Sequence, residues 1–232
     1  MIIGGLQKTS LIDYPGHISA VLFTVGCNMR CPYCHNTSLV EPEPGMMMMN
    51  PDKIMEFLEK RKKYLDAVVI TGGEPTVHVD LPVLVSKIKK MGYKVKLDTN
   101  GTHPKMLKQL LDKGLLDYVA MDLKAELEFE RYNKVAGNVL SNELFDNIHE
   151  SIKTILGSNV DHEFRTTAIK GIHGRKDFKS ILSKIDGAKR LIIQKFNPET
   201  THDPEWGNYK AFEEGELQEF LNIESDVDVL VR

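Results

Sequence analysis

Between residues 17 and 197 the chain alternates two hydrophobic periods. Short β-branched runs read as strands at 17–25, 66–73, 93–101, 116–124, 162–171 and 190–197. Longer stretches with an apolar residue every three or four positions separate them, at 50–65, 80–92, 104–114, 141–157 and 175–186. Helix ends are legible too. Asn50 before Pro51 reads as an N-cap and a first-turn proline, Asp80 is placed to cap the next helix, and Gly92 and Gly114 mark stops. Such alternation predicts a parallel sheet with helices packed on it. A complete eight-unit barrel takes about 250 residues, whereas this chain has 232 residues and six strand-like runs. The expected fold is therefore α/β, a partial (β/α)6 barrel of parallel strands with outer helices. One domain over residues 1–232 is expected, with a C-terminal extension from about 198 that holds a helix at 214–223 and an apolar tail at 227–232.

In parallel α/β folds chemistry gathers where strands end. The polar and glycine-rich segments fall there: GCNMRCPYC after the first strand, TGGEP after the second, DTNG after the third and MDLK at the fourth. All three cysteines lie in the first of these, as Cys27-x3-Cys31-x2-Cys34. Three thiols cannot all pair with one another, and the N-terminal residues lack a basic segment followed by a long apolar one. Both features point to a reducing cytoplasm and a metal site. Two sites remain open on spacing. A structural zinc generally takes four protein ligands, with His35 the available fourth. A cubane iron–sulfur cluster on three thiolates leaves one iron free for an outside ligand. The formal net charge of −3 argues against nucleic-acid binding driven by bulk charge. No apolar run approaches the roughly 20 residues of a membrane span. The Met46–Met49 tract reads as flexible apolar filler before a helix. His78, His103, His149, His162 and His202 show no ligand spacing and are expected mostly on the surface or in loops.

The CxxxCxxC pattern with Tyr33 before its last cysteine resembles the signature of the radical S-adenosylmethionine (SAM) enzymes. The resemblance implies that Cys27, Cys31 and Cys34 hold a 4Fe-4S cluster whose fourth iron is chelated by the methionyl amine and carboxylate of S-adenosylmethionine. TGGEP resembles the GGE motif of that family, which implies that Gly72, Gly73 and Glu74 receive the cofactor's ammonium. LDTNG and MDLK resemble paired motifs of the glycyl-radical-enzyme activating branch. By that likeness Asp98, Thr99 and Asp122 line the cofactor site and help hold a monovalent cation, and Lys124 meets the methionyl carboxylate. Tyr33, Arg165 and Thr167 join the implied cofactor set, although a strand arginine paired with a neighbouring carboxylate is the alternative for Arg165. Asn197 is a candidate for the ribose.

The lead-in SLIDYPG is similar to the activating proteins of anaerobic ribonucleoside-triphosphate reductase, closely so over residues 6–40. This implies an oxidoreductase that cleaves S-adenosylmethionine reductively to a 5'-deoxyadenosyl radical. A flavodoxin or ferredoxin would supply the electron, and a backbone glycine of the anaerobic ribonucleotide reductase would lose the hydrogen. With three cysteines committed, no auxiliary cluster is expected. Two alternatives stand beside this one: a radical SAM enzyme acting on a small molecule, as 7-deazapurine synthases do, and a zinc-binding module without catalysis.

Overall fold

The strand-like runs pair side by side in chain order. In the computed structural model, which describes residues 1–42 and 44–232, β2 (Ser19–Thr24), β3 (Ala67–Gly72), β4 (Lys94–Thr99), β5 (Tyr118–Asp122), β6 (Asp161–Lys170) and β7 (Arg190–Lys195) form a parallel array. Every neighbouring pair in that array is parallel. The crossovers carry α2 (Pro51–Arg61), α3 (Leu81–Lys90), α4 (Pro104–Asp112), α6 (Asn142–Leu156) and α7 (Arg175–Lys184), preceded in chain order by the short α1 (Thr37–Val40) and, before α6, by α5 (Phe129–Val135). This is the mostly parallel α/β architecture of a partial barrel.

The structure adds strands the pattern did not reveal. β1 (Ile3–Ser10) runs antiparallel to β2, with Leu6 opposite Leu22. Gly4, Gly5 and the polar Gln7–Ser10 hide it from a period-two reading. Gly4 is needed for packing, since a Cβ there would lie 2.7 Å from Val25 Cγ2. β8 (Lys210–Ala211) pairs with the end of β6. The C-terminal tail forms β9 (Asp228–Val231), parallel to β7, after α8 (Glu214–Leu221). The main sheet thus ends at β1 on one side and β9 on the other, and these two strands do not pair.

Each strand buries two faces. Val68, Ile70, Val95, Leu97, Val119 and Phe164 face the helices, where Ile54, Leu58, Val85, Ile88, Leu107 and Ile152 complete one large apolar core. The inward face is smaller and holds Val21, Val69, Ala120 and Tyr118. Tyr14, in the loop between β1 and β2, closes that face from below, its ring centroid 5.5 Å from that of Tyr118. Local expectations divide in an instructive way. Asn50 Oδ1 accepts Asp52 N at 2.8 Å as an N-cap should. Asp80 precedes α3 but makes no side-chain cap; its carboxylate pairs with the amino group of Met1 instead. His162 is buried on β6, not at the surface, because it alternates onto the helix-facing side beside Phe164. Among the described residues no helix is long and apolar enough to cross a membrane.

Candidate functional site

The cysteine loop is held by backbone. After β2, Gly26 turns at φ 99°, its N–H donating to Leu39 O at 2.7 Å and its carbonyl accepting Glu74 N at 2.8 Å. Gly73 N donates to Thr24 O at 2.9 Å. A Cβ on Gly73 would fall 2.1 Å from Gly26 O, and one on Gly72, at φ 114°, 2.4 Å from Thr24 N. The two glycines therefore let the end of β3 lie directly on the chain that leads into Cys27. Gly73→Ala is expected to cost about 1–3 kcal/mol by overpacking and to lower the iron retained per chain, since the nearest atom that must move is one residue from Cys27. Paired thermal melts and iron assays check it, and an unshifted melt would remove this role.

Within the loop, Arg30 Nη1 donates to Cys27 O at 2.7 Å and Met29 O at 2.9 Å, while Nε pairs with Glu41 at 2.7 Å. Asn100, from the DTNG segment, donates to Asn28 Oδ1 at 3.0 Å, and Asn28 donates to Thr102 Oγ1 at 2.8 Å. On the outer side, Trp206 stacks on Tyr33 with centroids 6.1 Å apart, and Asp203 N donates to Pro32 O at 2.9 Å. The C-terminal segment thus covers the loop. His35 turns its Nδ1 to Thr200, 2.6 Å from the carbonyl.

Cys27, Cys31 and Cys34 carry free thiols and line one cavity of about 300 Å³. Burial, helped by Glu74, pushes the Cys27 thiol up to about 11, and burial pushes Cys31 up to about 12. Both are protonated at neutral pH until a metal favours the thiolate. Among the described residues no three His, Cys, Asp or Glu side chains gather closely enough for a single metal ion.

Opposite the thiols stands a ladder of charge. Arg165 Nε lies 2.7 Å from Asp122 Oδ1, and its Nη1 lies 3.0 Å from Asp98 Oδ2. Lys124 Nζ donates to Asp122 Oδ2 at 3.1 Å. Burial alone would raise the Asp122 pKa; Arg165 and Lys124 outweigh it and hold the carboxyl well below the usual range. Asp98 Oδ1 has no hydrogen-bond donor among the described residues. It sits 3.1 Å from Lys96 Nζ, at ion-pair distance but off the hydrogen-bonding angle.

Glu74 is fully buried, and both of its oxygens are engaged. Oε1 accepts Thr76 N at 3.0 Å, Thr76 Oγ1 at 2.5 Å and Thr99 Oγ1 at 2.8 Å, and Oε2 accepts Asn100 N at 2.5 Å. Burial raises its pKa, and these bonds oppose the rise. Glu74 and Thr99 tie the β3 loop to the β4 loop; their hydrogen bonds go to protein.

The cavity therefore unites Tyr33, Gly72, Gly73, Glu74, Asp98, Thr99, Asp122, Lys124, Arg165 and Thr167 with the three cysteines. Asn197 stays apart: it is exposed, and its Oδ1 accepts Glu199 N at 3.0 Å. Lys96, Asn28, Asn100 and Gln194 escaped the sequence reading. The signal for Lys96 was its period-two spacing from Asp98 on β4. The donor set suits an iron–sulfur cluster with S-adenosylmethionine. Three soft thiols line the cavity together with the largely enclosed cations of Lys124 and Arg165, which can meet a carboxylate.

Comparison with known proteins agrees. Residues 21–183 match the profile of the Radical SAM superfamily. A Methanocaldococcus jannaschii protein, provisionally named a glycyl-radical enzyme activating enzyme, is 35% identical over 225 residues, covering 96% of this chain and 91% of that one. A 7-carboxy-7-deazaguanine synthase of Aquifex aeolicus is 38% identical over 78 residues, 33% of each chain. Two solved structures share the fold: a radical SAM methyltransferase from Sphaerobacter thermophilus (TM-score 0.71, 14% identity, 97% of this chain and 68% of that one) and Streptococcus suis SuiB bound to S-adenosylmethionine (0.69, 14%, 91% and 49%). The profile match spans the cysteine loop and the strand ends that face it, and on that ground the chain belongs to the radical SAM superfamily.

Proposed function

We propose that this radical SAM protein is an activating enzyme that installs a glycyl radical on a large partner enzyme. The observation that supports it is the shared cavity: the DTNG and MDLK segments, which resemble motifs of the activating branch, line the same space as the three thiols. The near full-length likeness to a provisionally named activating enzyme adds weight. When bound, a reduced 4Fe-4S cluster and S-adenosylmethionine supply a one-electron cleavage and a radical able to abstract hydrogen. The chain's own part is binding and exclusion of water.

Cys27, Cys31 and Cys34 hold the cluster. Lys124 and Arg165 present cations to the cofactor's carboxylate, and Asp98 holds Arg165 in place. Gly72, Gly73 and Thr167 border the same cavity, and Tyr33 beneath Trp206 seals the outer side. A monovalent cation at Asp98, Thr99 and Asp122 would share these carboxylates with Arg165, Lys124 and Lys96. β1 and β9 do not pair, and on this reading a peptide loop enters between them. The resemblance of SLIDYPG names the partner as the anaerobic ribonucleotide reductase, with a flavodoxin or ferredoxin as donor.

Incubation of the reduced, cluster-loaded protein with S-adenosylmethionine and that reductase is expected to give a glycyl-radical doublet by electron paramagnetic resonance. Cofactor cleavage without the doublet would favour a small-molecule substrate, the reading to which the deazaguanine synthase likeness belongs. A colourless protein carrying zinc would remove both.

A further inference from the structure

Lys96 is 2% exposed on the inward face of β4, two residues before Asp98. Its ammonium donates to the Asp13 carbonyl at 2.7 Å and lies 3.1 Å from Asp98 Oδ1 and 3.8 Å from Glu163 Oε1. The Tyr118 ring lies 5.6 Å from it, and Tyr118 OH donates to Glu163 Oε2 at 2.9 Å. A lysine side chain is normally flexible and strongly hydrated. This one is dry and clamped from three directions. Asp13 belongs to the SLIDYPG loop and itself borders the cavity. Its backbone carbonyl fixes the ammonium beside Asp98.

We propose that Lys96 is a positioning residue for S-adenosylmethionine: it anchors the foot of an alternating ladder, Lys96–Asp98–Arg165–Asp122–Lys124, whose other four members line the cavity. With Lys96 in place, each Asp98 oxygen has its own cation, and Arg165 stays stretched between Asp98 and Asp122. Without it, Asp98 draws on Arg165 alone, and the guanidinium shifts from Asp122 toward Asp98. The proposal rests on the reading that the cavity takes S-adenosylmethionine.

Lys96→Met by itself leaves Asp98 and Glu163 in excess and could unfold the chain, so the decisive protein is Lys96→Met combined with Glu163→Gln. That pair removes one buried charge of each sign. Arg232, 3.7 Å from Glu163 Oε2, is exposed enough to be rehydrated. The double variant is expected to melt close to wild type and to keep its iron, yet to bind S-adenosylmethionine about tenfold more weakly or worse by equilibrium dialysis of cluster-loaded protein. Glu163→Gln alone, which leaves Lys96 with Asp13 and Asp98, is expected to bind within about threefold of wild type. Wild-type affinity in the double variant, or its failure to fold, would reduce Lys96 to charge balance of the core and overturn the proposal. Loaded wild-type protein that binds no S-adenosylmethionine would instead refute the cofactor reading.

Discussion

Cys31→Ala is expected to abolish iron–sulfur loading and to reduce S-adenosylmethionine cleavage to background. Cys31 is the most enclosed of the three thiols, and it shares its cavity wall with Cys27 and Cys34. Two thiolates remain after the change, too few to hold three irons of a cubane. Alanine fits the buried position without introducing an unpaired polar group, as serine would. The loop itself survives, because Gly26, Arg30 and Asn28 hold it through contacts that do not involve the Cys31 sulfur. The melt of the metal-free variant should therefore stay near that of the metal-free parent while iron, sulfide and broad visible absorbance disappear. Undiminished release of methionine and 5'-deoxyadenosine would show that these thiols do not hold the cluster.

Arg165→Leu is expected to carry the largest cost to the fold. The guanidinium is largely enclosed, its side chain 13% exposed, and serves two carboxylates on two neighbouring strands. Breaking a buried ion pair by removing one partner costs about 3–5 kcal/mol, which for a domain of this size lowers the melting temperature by on the order of 6–20 °C. Acid should shrink the deficit. In the wild type Asp122 titrates well below its unfolded value. Its stabilisation is therefore complete above about pH 3.9 and is lost as pH falls through the depressed folded value. Arg165→Leu lacks the Arg165 share of that contribution at neutral pH and keeps only the share from Lys124, so it loses less in acid. Urea unfolding of metal-free protein at neutral pH and below about pH 3 tests this. An equal deficit at both pH values would mean that Arg165 stabilises by packing and not by charge.

The two variants separate what the two walls of the cavity do. One wall supplies soft thiol donors, of which burial holds Cys27 and Cys31 protonated at neutral pH. The other supplies permanent charge, already balanced within the protein. Arg165 also answers the question its position posed. It pairs with neighbouring carboxylates and also lines the cavity that holds the three thiols, because Asp122 and Asp98 sit at adjacent strand ends on the same inward face.

Strand order and the address of the site were legible without coordinates. A β-branched run of six residues signals a strand buried on both faces, and its alternation with helices determined the parallel array from β2 to β7. The same logic put Cys27, Gly72, Asp98 and Asp122 on one rim. Local chemistry sufficed wherever a residue's partner lies a few positions away, as with Asn50 and Asp52. Everything that depends on a distant partner waited for the tertiary structure. Glu74 turned out to bind Thr99 and Asn100, 25 and 26 positions along. Asp80 found the Met1 amine, 79 positions back. The tail became β9 because β7 offered it an edge, and Lys96 became the foot of a charge ladder because Asp13, 83 residues earlier, comes to rest against it. Periodicity reports which face a side chain takes, whereas the energy of a buried charge depends on what stands opposite, and only the folded chain decides that.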